Sequence, residues 1–451
     1  MATDTQHTAD FLVHPKWLLP IAPHNRLLEN CSLAIKDGVI CALAPRAQIQ
    51  AQWKAQQIVE LPQQLLMPGL VNCHNHAAMS LLSGFADDLP LMTWLNDHIW
   101  PAEAQWVDET FVTDGTTRSI AEMLLGGTTC FSDMYFFPEA AARVVNETGI
   151  RAQITFPLLD FATRWAADLD EGLRKGLSLF DDYKDHPRIT IGFGPHAPYT
   201  LSDASLRRIA TLANELQAPV HIHLHETAQE IKDSIEQYGQ RPIARIYELG
   251  LLSPQTQCVH MTQIDEQDID LLKETGAKVI HCPESNLKLA SGFCPVDLLL
   301  KAGIDVGLGT DGAASNNDVD MFGELHTAAL LAKAVAGDAG ALSAQAALYM
   351  ATLGGAKILG LDSQIGSLEV GKQADMIALS LDPLLTTPSY QMISDLVYRP
   401  RAHLVSHLWV GGKALVAGGQ LLLLDAAHIS RTTRHWQQQI SGAMFRPDTH
   451  R

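Results

Sequence analysis

The chain contains no CxxC pair, no low-complexity linker, and no uninterrupted apolar run near the roughly 20 residues that span a bilayer. Its seven cysteines, at 31, 41, 73, 130, 258, 282 and 294, are odd in number and scattered, which fits reduced thiols better than a disulfide scaffold. Cations are scarce: 32 Lys and Arg against 50 Asp and Glu leave a formal charge of −18. Such a balance repels a nucleic-acid backbone or an anionic membrane, so neither is expected as a partner. It leaves small molecules open, because their binding depends on a local pocket. The stretch from Met1 to Leu12 lacks the basic start and apolar core of a secretory signal, and the expected location is the cytoplasm. Association into a dimer or tetramer is left open.

What is present is the composition of a globular enzyme: 451 residues, 47% hydrophobic and 18% charged. From about residue 66 to 363, short β-rich runs alternate with longer helical patterns. The runs are Leu66–Cys73, Thr128–Asp133, Arg151–Phe156, Ile189–Gly194, Pro219–Leu224, Gln257–His260, Lys278–His281 and Asp305–Thr310. Between them lie amphipathic stretches such as Asp108–Leu125, Asp168–Asp185, Asp203–Leu216, Asp265–Thr275 and Met321–Ala336, several opening on a capping Asp or Ser. This α/β alternation suits a (β/α)8 TIM-type barrel, although an open doubly wound sheet shares the same periodicity. The flanks read as β. Two runs surround an Asp37-Gly38 turn, and residues 366–424 repeat that style. The expected organisation is a small β-sandwich built from both ends, 1–65 and 364–451, around a barrel over 66–363, with a terminal helix near 427–445.

Four distant stretches place metal-type ligands where strands should end: Val71-Asn72-Cys73-His74-Asn75-His76, Ile222-His223-Leu224-His225-Glu226, Val259-His260 and Gly309-Thr310-Asp311-Gly312. His74 and His76, two apart on a strand, share a face, and in a barrel they would sit at the C-terminal mouth. His221, His223 and His225 share one strand face as well, so spacing alone does not choose among them. If the strand ends near Leu224, the following turn returns Glu226 to the pocket, which favours His223 as ligand and Glu226 as acid/base. His221 and His225 then read as hydrogen-bonded or lining residues. Gln229 stands where HExxH needs its second His, so a helical zincin site is out. Gly307, Gly309 and Gly312 formally match GxGxxG, but Ala313–Asp318 reads as a loop rather than as the helix that a dinucleotide fingerprint requires. His260 can hydrogen-bond a water and a departing group, and His196 closes the fourth strand. No lysine lies near that strand end, which speaks for one divalent ion rather than two bridged by a carboxylated lysine. Zinc is the default for three His and one Asp, with iron or manganese as alternatives.

These motifs, in this order, resemble the amidohydrolase superfamily, and within it the 5-methylthioadenosine/S-adenosylhomocysteine deaminase group. The similarity runs through Met67-Pro-Gly-Leu-Val-Asn-Cys-His-Asn-His, Asp87-Asp-Leu-Pro-Leu-Met-Thr-Trp-Leu, Ile99-Trp-Pro-Ala-Glu103, Gly192-Phe-Gly-Pro-His-Ala-Pro, His223-Leu-His-Glu-Thr, His281-Cys-Pro-Glu-Ser-Asn-Leu-Lys-Leu and Thr310-Asp-Gly-Ala-Ala-Ser-Asn-Asn. The resemblance implies a barrel with a β-sandwich, and metal ligands at His74, His76, His223 and Asp311. It also implies that Glu103 grips ribose hydroxyls, His196 contacts the purine, Trp94 lines the pocket, and Glu226 and Asp311 touch the substrate. Relatives often carry an arginine near the end of the third strand for the homocysteine carboxylate. Here Thr155-Phe156-Pro157 stands there, with Arg164 nearby in sequence, which tilts the reading toward methylthioadenosine and its apolar tail.

The implied chemistry is hydrolytic deamination. A cation lowers the pKa of its water to about 7. Asp311 takes the water proton, His260 steadies the oxygen, and Glu226 protonates the ring nitrogen beside C6, so that ammonia departs and the inosine analogue remains. The HxE…PCxxC signature of the compact zinc deaminases is absent. The rival readings are a guanine or triazine hydrolase of the same superfamily and, further off, a non-catalytic scaffold on this fold.

Overall fold

The computed structural model describes residues 6–23, 26–381, 383–399 and 403–444. Eight parallel strands lie in chain order: Leu70–Asn75, Thr128–Met134, Arg151–Leu158, Ile189–Pro195, Val220–Leu224, Thr256–His260, Lys278–His281 and Val306–Leu308. The first and last are brought together where the Asp311 N–H donates to the His74 carbonyl, 3.0 Å. The alternation therefore resolves into a nearly closed barrel and not an open sheet. Helices Glu109–Gly126, Leu169–Asp182, Asp203–Leu216, Glu266–Thr275 and Met321–Ala336 occupy the amphipathic stretches. Asp108, Asp168, Ser202, Asp265 and Asp320 each accept a first-turn N–H, as capping residues do.

A second, nine-stranded sheet is built from both chain ends, with Trp53–Pro68 hydrogen-bonded between His7–Leu18 and Met376–Leu381. Its halves share a core in which Phe11 stacks on Trp409, ring centroids 6.4 Å apart. The Asp37-Gly38 hairpin is present, with both turn residues at positive φ. The terminal helix is Ala426–Met444. Among the described residues no helix is long and apolar enough to cross a membrane.

Two details differ from the sequence reading. Leu66, Met67 and Pro68 belong to the outer sheet, and the first barrel strand opens only at Leu70. The break is Gly69, where an added Cβ would lie 2.1 Å from the Thr129 hydroxyl, so only a residue without a side chain lets the chain cross from sheet to barrel. The second detail is a single helical turn, Ala313–Asn316, opening directly after Gly312 where a loop was expected. It does not restore a dinucleotide loop. Space beside Gly312 is filled by His76 and Met79, and its N–H is taken by Asp311 Oδ1, 2.8 Å.

Barrel and outer sheet are pinned by a buried bidentate pair. Arg151 Nε and a terminal guanidinium nitrogen donate to Asp375 at 2.8 and 3.2 Å, and Asp375 also accepts the Gly411 N–H at 2.6 Å. Truncating one partner strands the other charge in the interior. Arg151→Met should therefore destabilise the chain by roughly 3–5 kcal/mol, measured by urea unfolding. A loss below about 1 kcal/mol, as for an exposed pair, would show that the two bodies do not depend on it.

Candidate active site

The C-terminal ends of the strands converge on a single open pocket. His76, His223, Glu226, His260 and Asp311 line its floor, with Trp94, Glu103, His196 and Tyr135 on its walls. His74 lies fully buried beside them. The residues to which the sequence reading gave a catalytic, substrate-binding or metal role line this pocket, with His74 buried beside His76 and His223. The fifth strand ends at Leu224, His225 takes a left-handed backbone (φ +54°), and that turn brings Glu226 inward.

Trp94 and Glu103 come from one helical segment made of Leu91–Trp94, a π turn over Leu95–Ile99, and Trp100–Trp106. On an uninterrupted α-helix, at about 100° per residue, these two would face opposite ways. The wider π turn brings both to the cavity.

Hydrogen bonds decide which nitrogen of each ring is available. A carbonyl can only accept, so a ring nitrogen beside it must carry the proton. His76 Nδ1 lies 2.5 Å from the Met134 carbonyl and His223 Nδ1 lies 2.7 Å from the His196 carbonyl, so each Nε2 is the free position. His74 Nδ1 meets His221 Nε2 at 2.7 Å. The free atoms crowd together: His74 Nε2 is 3.3 Å from His223 Nε2 and 3.1 Å from Asp311 Oδ1, which is 3.2 Å from His76 Nε2. Bare lone pairs facing one another and a carboxylate repel unless positive charge sits between them. Burial drives His74 and His223 well below the ordinary imidazole pKa, whereas Asp311 overcomes burial at His76 and raises it to about 9. The donor set, three imidazole nitrogens and one carboxylate oxygen, fits a divalent cation. His260 also brings a ring nitrogen within 4.8 Å of those of His74 and His223.

Asp311 Oδ2 accepts from Ser285 (2.6 Å) and Ser315 (3.0 Å). Glu226 has little such support: Ser291 Oγ at 3.2 Å, and His260 Nε2 beyond hydrogen-bond reach at 3.7 Å. Burial raises the Glu226 carboxyl pKa. His260 Nδ1 is held by Asn286 Oδ1 at 2.9 Å. His196, lowered to about 4 by burial, is neutral. His225 stays out of the cavity, since its ring takes the Ile243 N–H (3.0 Å) and gives to the Gln263 carbonyl (3.1 Å). Arg164 donates to the Val107 carbonyl at 3.2 Å and is not among the lining residues. Three participants were given no role by the sequence reading. Tyr135 donates to Glu103 Oε1 at 2.7 Å, and Ser285 and Ser315 bracket Asp311. Both serines lie within the quoted His281 and Thr310 motifs, but their hydrogen bonds to Asp311 appear only in the fold.

A barrel with a histidine-carboxylate cluster at its C-terminal mouth defines a hydrolase of the metal-dependent barrel class. The amidohydrolase family model matches residues 65–415, and the chain belongs to that family. It is 57% identical over 432 residues to the 5-methylthioadenosine/S-adenosylhomocysteine deaminase of Saccharophagus degradans, covering 96% of this chain and 97% of that one. It is 54% identical to the enzyme of the same name from Teredinibacter turnerae, covering 96% and 98%. Among solved structures it resembles an adenosine deaminase from Xanthomonas campestris with bound zinc, with a TM-score of 0.95, 48% identity, and coverage of 97% and 100%.

The bare nitrogens yield a direct expectation. Equilibrium dialysis against Zn2+ should load one ion per wild-type chain, and His223→Ala or Asp311→Ala should lose most of that binding while remaining folded by circular dichroism. Equal loading in both variants would show that the cluster holds no ion.

Proposed function

We propose that the chain is a metal-dependent deaminase that replaces the 6-amino group of adenosine-type nucleosides (5′-methylthioadenosine, S-adenosylhomocysteine or adenosine) by oxygen, giving the inosine analogue and ammonia. The observation that carries this reading is the convergence of three bare Nε2 atoms and Asp311 on the floor of a pocket whose wall holds Glu103. We take His74, His76, His223 and Asp311 as ligands of one divalent ion. Zinc is favoured by the nitrogen-rich donor set and by the zinc in the Xanthomonas adenosine deaminase. Iron and manganese are the alternatives.

A divalent ion held by these ligands would lower the pKa of a water to about 7 and so supply the nucleophile. Asp311 is placed to take a water proton, and His260 to hydrogen-bond the attacking oxygen. Glu226, whose carboxyl burial pushes toward the protonated form, donates to the ring nitrogen beside C6 and makes that carbon electrophilic. Glu103 accepts the ribose hydroxyls, His196 meets the purine, and Trp94 packs along the nucleoside. Among the described lining residues there is no lysine or arginine, and Leu91, Leu95, Ile99, Trp100 and Phe161 give the pocket an apolar part. That wall suits a methylthio tail better than a zwitterionic homocysteine. A guanine or triazine hydrolase would have no use for a ribose-binding carboxylate at Glu103.

Ultraviolet assays of the adenine-to-hypoxanthine change should show turnover of all three nucleosides, with the highest kcat/KM for 5′-methylthioadenosine. Glu103→Ala should raise the nucleoside KM about 10- to 100-fold, as expected for loss of charge-assisted hydrogen bonds worth roughly 1.5–3 kcal/mol. An unchanged KM would remove its ribose role. Glu226→Gln should lower kcat by about 10²–10⁴ with little change in KM. Because the protonated form of Glu226 is the active one, activity should be lost as pH rises through its raised pKa. A wild-type rate that stays flat into the alkaline range would contradict that assignment.

A further inference from the structure

We infer that His221 is a positioning residue for the cation site, acting through His74 as the middle link of a buried polar chain that ends on the Ile358 carbonyl. The inference rests on the cation reading above. The sequence places His221 on the same strand face as His223 but assigns it no partner. The structure puts it behind the cluster, fully buried, its ring stacked on that of His74 with centroids 4.9 Å apart.

The links run in one direction. The Ile358 carbonyl, in the short helix Gly355–Ile358, can only accept, so the Gln257 atom 3.2 Å away is the amide nitrogen. That orientation points Gln257 Oε1 at His221 Nδ1, 2.8 Å away, and a carboxamide oxygen also only accepts. His221 Nδ1 therefore carries the proton and its Nε2 is bare. Facing it at 2.7 Å, His74 Nδ1 must donate, which leaves His74 Nε2 bare toward Asp311 and His223. Gln153 locks Gln257 from the side. The two amides exchange hydrogen bonds at 2.8 and 3.1 Å, and Gln153 Nε2 also donates to Ser132 Oγ at 3.0 Å. Every member is no more than 2% exposed, so water cannot substitute for a missing link. His76 and His223 lean directly on backbone carbonyls, and only His74 depends on a side-chain relay. Partners of this kind orient a ligating imidazole and raise its basicity, and their loss typically costs 10–100-fold in metal affinity.

The test is the Zn2+ dissociation constant of the full-length chain, measured by competition with a chromophoric chelator. Histidine-selective 15N spectra of the metal-free chain give a second readout of the His74 tautomer. His221→Phe, which keeps the ring and removes the acceptor, should weaken Zn2+ binding about 10- to 100-fold. His221→Gln, whose Oε1 can reach the place of Nε2, should retain most of the affinity. Gln257→Met should mix the His74 tautomers and weaken binding to an intermediate degree, and it carries the test if His221→Phe does not fold. Wild-type affinity in His221→Phe or Gln257→Met, or a single unchanged His74 tautomer in Gln257→Met, overturns the relay. A wild-type chain that binds no Zn2+ instead overturns the cation reading beneath it.

Discussion

Carbonyl groups that cannot donate a hydrogen bond fix the chemistry of this site. Met134, at the end of the second strand, and His196, just past the end of the fourth, each turn a carbonyl toward a histidine and take its Nδ1 proton, the His196 carbonyl while also accepting the His223 N–H at 3.1 Å. The Ile358 carbonyl does the same for His74 at two removes. The backbone thereby selects, from the two tautomers open to an imidazole, the one that aims Nε2 of all three rings at one point. An imidazole left to itself would divide between tautomers, and the cluster would be part donor and part acceptor.

The same strand ends store backbone strain. His225, His260 and Asp311 have positive φ of 54°, 77° and 61°, a region that costs a non-glycine residue on the order of 1–3 kcal/mol. Each is held by interactions that leave it no alternative. The His225 N–H goes to Glu230 and its ring to Ile243 and Gln263, the Met261 N–H just after His260 returns to Leu224, and the Asp311 N–H closes the barrel onto His74. Glycine would adopt these angles freely, yet each position needs a side chain. The strain is the consequence of placing a functional group at the sharp turn that directs the chain into the cavity.

What could be read beforehand follows from the range of the interactions involved. Strand-helix alternation and the H-x-H spacing are local, and they led to the barrel and to His74 and His76. The turn after Leu224 is also local, and it separated Glu226 from the strand face. The outer sheet's claim on Leu66–Pro68 was hidden because it depends on Gly69 meeting Thr129 across the fold. The π turn before Trp100 carries no glycine or proline to announce it, although it decides that Trp94 and Glu103 share a wall. Spacing alone left His221, His223 and His225 equivalent, since all three share a face, and the strand end near Leu224 favoured His223. Their partners were not legible: a carbonyl for His223, Gln257 for His221, and Ile243 with Gln263 for His225.

One cavity holds three carboxyl groups whose pKa values are displaced to different degrees and in different directions, and the neighbours of each explain the division. Asp311 is fully enclosed, yet His74 and His76 beside it hold its pKa well below the usual range despite burial, and its oxygens also accept the Gly312 N–H and the Ser285 and Ser315 hydroxyls. Glu226 receives only one long contact from Ser291, and burial prevails. Glu103 has a single donor in Tyr135, which leaves it near 7. A ligand and base must be ionised, whereas a general acid must arrive protonated, and two groups with separated pKa values meet both demands at one pH. Exchanging their surroundings, more than exchanging Asp for Glu, would exchange their roles.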